Sequence, residues 1–401
     1  MTLIITTRTK KKSDDAISQL RNHSRKKAAK STYPSNARIE FRAEHLDLTS
    51  LVSIQQLSRK LLRSLPKLDV LILNAGYGGF TGVKLLYAVW LVLTDWKHSV
   101  TWPSYKVSGV GLITKPQCTL ETTQPLSNGI PPTPPNGIPH RDESPPLGEV
   151  FCSNVFGHYL LTHNLTPLLS TPHPTPGRII WISSLEAYAH TFSPADIQGL
   201  ASTTAYESSK RLTDILALTA SLPSTYPWTH RFLTSAPTPS TTTKQKPRMY
   251  LAHPGICATA IVPLSLFLYY GMLAAFYIAR WLGSPWHTIS AYTGACAPVW
   301  LALAPQSTLD ALEEKDGSGK WGSVTDFWGS GRVARTEVEG WGYGGVVGER
   351  GEGRKGRMRG AKNVTSEARE EFEGFGRECW GAMEELRVVW AERLRVVGEG
   401  L

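Results

Sequence analysis

Arg178-Ile-Ile-Trp-Ile-Ser-Ser184, followed about twenty residues later by Tyr206-Glu-Ser-Ser-Lys210, is the part of the chain whose reading decides the fold. The first stretch is a continuous apolar run ending in a hydroxyl pair, the pattern of a strand buried on both faces of a parallel sheet. The second opens a helical pattern. Tyr206 and Lys210 lie four apart, so on a helix they face the same way and the ammonium can sit beside the phenol. A free phenol, with a pKa near ~10, is a poor proton donor or base at neutral pH. A cation held close favours the phenolate and is expected to bring the group towards a working pKa. A Ser hydroxyl at the strand end can then hold the oxygen that gains or loses the proton, and alternation lets only one of Ser183 and Ser184 face that site.

Working outward, the same alternation of strands and helices recurs. Leu68-Asp-Val-Leu-Ile-Leu-Asn74-Ala-Gly76 is a second continuous apolar run, ending in a turn. Before it, Leu51, Ile54, Leu57, Leu61 and Leu65 fall at helical spacing. Ser153-Asn-Val-Phe-Gly-His-Tyr-Leu-Leu161 reads as a helix carrying Asn154, and a strand from Met249 runs into Pro254-Gly255-Ile-Cys-Ala-Thr259. Leu3 to Thr7 is a short β-rich run, and Arg38 to Arg42 alternates around Ile39 and Phe41. Strands alternating with helices imply an α/β fold with a doubly wound parallel sheet.

With these motifs in this order, the chain from Leu3 to roughly Pro305 resembles the short-chain dehydrogenase/reductase family. Asn74-Ala-Gly76, Asn154, Ser184, the Tyr206/Lys210 pair and the Pro254-Gly255 turn ending at Thr259 each match a family motif. Leu3-Ile-Ile-Thr-Thr-Arg8, the long Pro-rich stretch, Tyr206-Glu-Ser-Ser-Lys210, Ala252-His-Pro-Gly255 and Lys320-Trp-Gly-Ser look like the fungal 3-ketosteroid reductases. The resemblance implies a Rossmann-type fold and NADPH-dependent reduction of the C3 ketone of a 4-demethylated sterol intermediate, within sterol C-4 demethylation. It also implies partners among the other enzymes of that sequence, at the cytosolic face of the endoplasmic reticulum membrane. Two alternatives stay open: another lipid carbonyl reductase, of 17-ketosteroid or retinal type, or an inactive truncated relative that keeps only partner contacts.

Roles follow the same resemblance. Tyr206 becomes the proton donor and Lys210 its cationic partner, which also meets the nicotinamide ribose. Ser184 is preferred to Ser183 because the family's catalytic Ser is the second of such a pair. Asn154 matches a residue that orders a water linking Lys to solvent. Arg8 stands at the end of the strand where the family chooses its cofactor, and a guanidinium there suits a 2′-phosphate, hence NADPH. Asp47 matches the acidic residue flanking the adenine, or else caps the helix starting near Ser50. Asn74 and Gly76 line the cofactor cleft or shape the turn, and Thr259 binds the carboxamide.

The family opens with a strand and Thr-Gly-x-x-x-Gly-x-Gly, whose helix N-terminus receives the pyrophosphate. Here Met1 abuts the second strand, and the first Gly-rich segment, Gly76-Tyr-Gly-Gly79, belongs to the fourth strand's turn. Against the family the chain reads as N-terminally truncated, lacking the first strand of a 3-2-1-4-5-6 sheet, and is expected to bind NADPH poorly.

Composition narrows the classes further. At 401 residues the chain could hold one large or two ordinary domains, and a hydrophobic content of 41% is enough for a core in part of it. Five Cys, odd in number and without Cys-x-x-Cys, read as reduced thiols facing the cytosol. The net charge of +10 gathers in Arg8 to Lys30 and Arg332 to Lys362 without an aromatic-interleaved stripe, so a solvated basic surface is expected and no nucleic-acid partner. His158, His163, His173 and His253 have neither ligand spacing nor a Cys partner, so no metal is expected.

The domain is expected to span 1–305, with a long insertion over about 83–148. The centre of that insertion, Ile130-Pro-Pro-Thr-Pro-Pro-Asn-Gly-Ile-Pro139, can form neither helix nor ladder and reads as mobile. Residues 261–279 carry no charge; Pro263 and Gly271 weaken a regular span, so they read as an apolar substrate lid that dips into a membrane surface. Residues 306–364 read as a Gly/Arg-rich, largely disordered tail. Over 365–396, Phe372, Phe375, Cys379, Met383, Leu386, Trp390 and Leu394 make one face of an amphipathic helix, capped by Thr365 or Ser366.

Overall fold

The computed structural model describes residues 1–30, 39–101, 104–117, 145–171, 175–234, 245–259, 261–348 and 362–398. The chain begins β1 (Thr2–Thr7), α1 (Lys10–Lys30), β2 (Glu40–His45), α2 (Leu51–Ser64), β3 (Val70–Leu73). Then come β4 (Phe80–Val83), α3 (Leu85–Thr94), α4 (Trp96–Thr101) and β5 (Lys106–Ser108). A short α5 (Glu149–Phe151) passes through a π-helical turn, Cys152–Phe156, into α6 (Gly157–Leu169). β6 (Arg178–Ile182), α7 (Ala205–Thr219), α8 (Tyr226–Phe232) and β7 (Arg248–His253) follow. The chain continues with α9 (Leu266–Trp281), α10 (Ala291–Gly294), α11 (Cys296–Leu303) and α12 (Gln306–Asp316). It finishes with β8 (Lys320–Thr325), β9 (Gly331–Thr336) and α13 (Ser366–Gly398).

The expected α/β sheet is present, in two pieces. β3, β6, β7 and β8 lie side by side in parallel, and β9 closes that sheet antiparallel to β8. β1 and β2 form a separate parallel pair and, among the described residues, share no ladder with β3. All five residues of β6 are buried because both faces are covered. Alternation sends Ile179, Trp181 and Leu251 into a core with α2, α6, α7 and α13. It sends Ile180, Ile182, Tyr250 and Ala252 into a second core with Ala297 and Leu301 of α11 and Leu309 of α12. Two cores on opposite faces make the sheet doubly wound.

The boundary expected at residue 305 is corrected, and so is the tail. α12, β8 and β9 all lie beyond 305, and β8 is buried along its whole length beside β7. Its polar residues mislead a local reading because their partners come from elsewhere. The Ser323 hydroxyl donates to the Gly294 carbonyl at 2.6 Å and accepts from the Ala297 amide at 2.9 Å. Val338 and Trp341 belong to the first core, and the Trp341 indole donates to the Ser318 carbonyl at 2.7 Å. Residues 349–361 of the expected tail lie outside the described residues, as does the Pro-rich centre of the insertion.

The insertion's flanks are built into the domain. Leu51 N–H donates to the buried Gln117 side chain at 2.8 Å, and Gln117 in turn donates to the Thr49 carbonyl at 3.0 Å. α13 is capped by Thr365, whose hydroxyl accepts from Ala368 N–H at 3.2 Å. It is not an appendage: Phe372, Cys379, Trp380, Met383, Trp390 and Leu394 are all core residues, packed against α7 and α8. The apolar stretch expected over 261–279 contributes α9, of 16 residues, and no helix among the described residues is long and apolar enough to cross a membrane.

Candidate active site

β6 delivers its two serines to different neighbours. Ser183 is buried and its hydroxyl donates to the Lys210 carbonyl at 3.3 Å, which ties the strand end to α7. Ser184, one residue on, turns the other way; its hydroxyl accepts from Glu186 N–H at 3.1 Å and stands near enough to the Tyr206 phenol to favour its ionised form. Tyr206 and Lys210 lie in the first turns of α7, four residues apart on one face. The Lys210 ammonium sits 5.7 Å from the centre of the Tyr206 ring and donates to the Ile182 carbonyl at 2.9 Å. Ser184, Tyr206 and Lys210 therefore converge at the carboxyl end of β6, where open α/β sheets place their ligands.

The electrostatics differ from the expectation in one respect. Lys210 does not draw the phenol down: burial raises the Tyr206 pKa, Glu186 adds to the rise, and Ser184 and Glu207 act in opposite senses. The phenol is thus held protonated, which suits a donor. Lys210 itself is lowered to about 8, by burial first and then by Lys320, against a pull upward from Asp214.

Three further charged groups, Lys106, Glu186 and Glu207, stand beside Tyr206. Lys106 of β5, 9% exposed, donates to Glu186 and to Glu207 at 2.8 Å each. Its ammonium also lies 4.6 Å from the Phe80 ring and 5.8 Å from the Tyr206 ring, and Phe80 packs on Tyr206 at 5.5 Å. Glu207 was visible as the neighbour of Tyr206. Lys106 was not, because it lies 101 residues away in the insertion. Ile261, at the start of the apolar segment, comes within 3.2 Å of where a Cβ of Gly78 would stand, beside Phe80. Phe80 and Ile261 thus bring apolar side chains to the neighbourhood of Tyr206.

Asn154 lies in the π-helical turn and is almost fully engaged. Its carbonyl accepts from Tyr77 N–H at 2.6 Å, and its amide donates to the Tyr77 carbonyl at 3.0 Å and the Ser209 hydroxyl at 2.9 Å. It clamps the Asn74-Ala-Gly76 turn onto α7, and His158 helps by bonding the Ala75 carbonyl at 2.8 Å. Gly76 matters for what it lacks: a Cβ there would stand 3.3 Å from Asn154 Oδ1 and 3.7 Å from Lys210 Nζ. The turn thus leaves a cradle open in front of Lys210. Asn74 and Gly76 are exposed along its rim.

The other expected cofactor residues follow the carboxyl ends of β1, β2 and β7, in two separate sheets. Arg8 is exposed just after β1, followed by exposed Lys10 to Lys12, and its carbonyl is held by the His45 ring at 3.0 Å. Asp47 accepts from Thr49 N–H and Oγ at 2.9 and 2.8 Å. Capping of α2 falls to Ser50, whose hydroxyl accepts from Ser53 N–H, so that alternative role for Asp47 is corrected. Thr259 is exposed after the Pro254-Gly255 turn. Gly255 has φ +75°, and a Cβ there would meet the Trp286 carbonyl at 2.6 Å, so the turn demands glycine.

Among the described residues, no group of three or more His, Cys, Asp or Glu could hold a metal. His158, His163 and His253 each bond a carbonyl or hydroxyl separately, and His173 lies outside the described residues.

No protein-family profile matches the chain. Individual relatives do. The 3-keto-steroid reductase of Aspergillus fumigatus is 48% identical over 411 residues, covering 98% of this chain and 87% of the relative. That of Gibberella zeae is 38% identical over 438 residues, covering 98% and 88%. That of Kluyveromyces lactis is 29% identical over 341 residues, covering 84% and 82%. Among solved structures, a short-chain dehydrogenase from Streptomyces avermitilis overlaps 66% of this chain and 60% of its own with a TM-score of 0.31 at 17% identity.

Proposed function

Since the chain belongs to the family of fungal 3-keto-steroid reductases, we propose that it reduces the C3 ketone of a 4-demethylated sterol intermediate to the 3-hydroxysteroid, with NADPH as reductant. The observation that carries the reading is the convergence of Ser184, Tyr206 and a buried Lys210 at the end of β6. NADPH, when bound, supplies the hydride that adds to the carbonyl carbon. The chain does the rest. The phenol, kept protonated by burial and by Glu186, gives its proton to the carbonyl oxygen as that oxygen gains charge. Ser184, which stands beside the phenol, holds the same oxygen in line. Lys210 then stabilises the phenolate left behind, passes it a proton and takes up a replacement from solvent.

The residues present fit the cofactor at both of its ends. The open cradle at Gly76, with Lys210 behind it and Thr259 exposed nearby, suits the nicotinamide ribose and carboxamide. Arg8 and Lys10 to Lys12, exposed after β1, suit a 2′-phosphate and favour NADPH over NADH. The apolar side chains of Phe80 and Ile261 near Tyr206 suit a sterol rather than a small polar ketone.

The proposed setting is the cytosolic face of the endoplasmic reticulum membrane, reached by contact and not by spanning. Support comes from two helices whose outer faces are apolar. On α9, Leu266 is 72% and Phe267 86% exposed; on α3, Leu86 is 88% and Leu93 80% exposed. Neither helix is long enough to cross ~30 Å of hydrocarbon.

Because the chain is expected to bind NADPH weakly, incubating it with NADPH in large excess and either a 3-keto or a 17-keto steroid, with the alcohol product measured by mass spectrometry, tests the reading. Reduction confined to the 3-ketone is expected, and Tyr206→Phe should lower turnover at least ~10²-fold. Preference for the 17-ketone, or undiminished turnover by Tyr206→Phe, refutes the assignment.

A further inference from the structure

A second lysine is buried beside the site. Lys320, the first residue of β8, is 3% exposed, and its ammonium donates to the Ser184 carbonyl and to Asp214 Oδ2 at 2.6 Å each. Asp214 is 1% exposed and stands one turn beyond Lys210 on α7. A carboxylate four residues from a lysine on one helix face ordinarily pairs with it. Here Asp214 faces Lys320 instead, its Oδ1 has no hydrogen-bond partner, and the Lys210 ammonium donates to a backbone carbonyl. Stability alone does not account for this arrangement, because a buried ion pair gains little or nothing over well-packed apolar residues.

We propose that Lys320 is a positioning residue for the reduction. Its ammonium fastens the strand end carrying Ser184 to the helix carrying Tyr206 and Lys210, and by engaging Asp214 it leaves the Lys210 ammonium to the phenol and the cofactor. The role rests on the reaction proposed above. Three separate segments meet at this one cation: the second residue after β6, the middle of α7 and the start of β8. The charged and titratable groups around Lys210 and Lys320 are Tyr206, Arg211 and Asp214 on α7, His158 on α6 and His253 on β7. Both histidines are kept neutral by burial, so Lys320 and Asp214 are the neighbours that act on Lys210. Lys320 lowers it more strongly than Asp214 raises it.

The test reads Lys210 directly. In the full chain, with lysines labelled at the ε-carbon and Lys210 assigned from the Lys210→Met spectrum, NMR follows its protonation against pH. Lys320→Met removes a cation and releases Asp214 towards Lys210, so the Lys210 midpoint should rise by roughly one unit or more. Because the single variant leaves a buried carboxylate unpaired and can unfold, Lys320→Met/Asp214→Asn is titrated alongside; its midpoint should fall between wild type and the single variant. In whichever of the two folds, a Lys210 midpoint at or below the wild-type value overturns the proposal. Failure of the double variant to fold also overturns it, since the pair would then be structural. None of these outcomes depends on the steroid, so a wrong substrate assignment and a wrong role for Lys320 are told apart.

Discussion

Replacing Trp380 with Ala tests whether α13 belongs to the catalytic domain or merely lies on it. The indole is fully buried, with ring centres 5.7 Å from Tyr159 and 5.3 Å from Phe232. Its N–H donates to the Thr219 hydroxyl at 3.2 Å, and Thr219 also donates to the Ile215 carbonyl, so loss of the indole leaves no orphaned hydroxyl. The cost is therefore one of transfer and cavity, about 3–5 kcal/mol for a fully buried Trp. Little relief by collapse is available, because Gly376 already brings α13 so close to Thr219 that a Cβ would stand 2.7 Å from its methyl. Val388→Ala on the exposed face (56% exposed) serves as control and should stay within about 0.5 kcal/mol. Urea unfolding of the full chain gives both values, with an unchanged m-value as the sign that only stability moved. A loss under about 1 kcal/mol for Trp380→Ala would refute the packing described for α13.

Other consequences follow from the site and the surface. Arg8→Ala should weaken NADPH binding and barely change NADH binding, measured by calorimetric titration; equal losses make Arg8 structural. Lys210 comes to about 8 from an ordinary 10.5, so between those values the unfolded chain binds more protons and stability gains with rising pH. The stability of wild type relative to Lys210→Met should thus improve from about pH 8 upward while ketone reduction declines; a difference flat with pH removes the assignment. Leu86→Asp and Phe267→Asp, on the outer faces of α3 and α9, should leave the fold intact and release the chain from vesicles of neutral and anionic phospholipid. Unchanged flotation with vesicles in both variants counts against membrane contact through these helices.

How much of this was legible depended on where each side chain finds its partner. The alternation Ser183/Ser184 and the four-residue step from Tyr206 to Lys210 are local, and the structure keeps both as the sequence implies. The helical face of α13 is local too, but Trp380 stands beside the row from Phe372 to Leu394 and is buried because α13 packs against both α7 and α8; Gly376 and Gly381 lie against the side chains of Thr219 and Trp228. The Arg/Gly-rich character of 306–364 hid β8, whose lysine, glycine and serine look like loop residues until their distant partners are counted. Gly322 is there because a Cβ would strike the rings of His253 and Trp286. α3 went unread for the opposite reason: its ten residues are apolar on nearly every side, a pattern with no period to detect.

The same distinction explains why the phenol behaves otherwise than its motif suggests. A Tyr-x-x-x-Lys step fixes which residues meet, but the proton affinity of the phenol is set by everything else that is buried there. Glu186 and Glu207 raise it, and Lys106, contributed by the insertion, is the cation that makes two buried carboxylates tolerable at that distance. The Lys106 ammonium bonds both carboxylates at 2.8 Å and so stands between the two negative charges nearest the ring. The insertion is therefore not decoration on a finished site: the charge balance around Tyr206 closes only with a residue it supplies. Lys320 acts on Lys210 from the other end of the chain, so that each member of one short motif stands beside a lysine contributed by a distant segment.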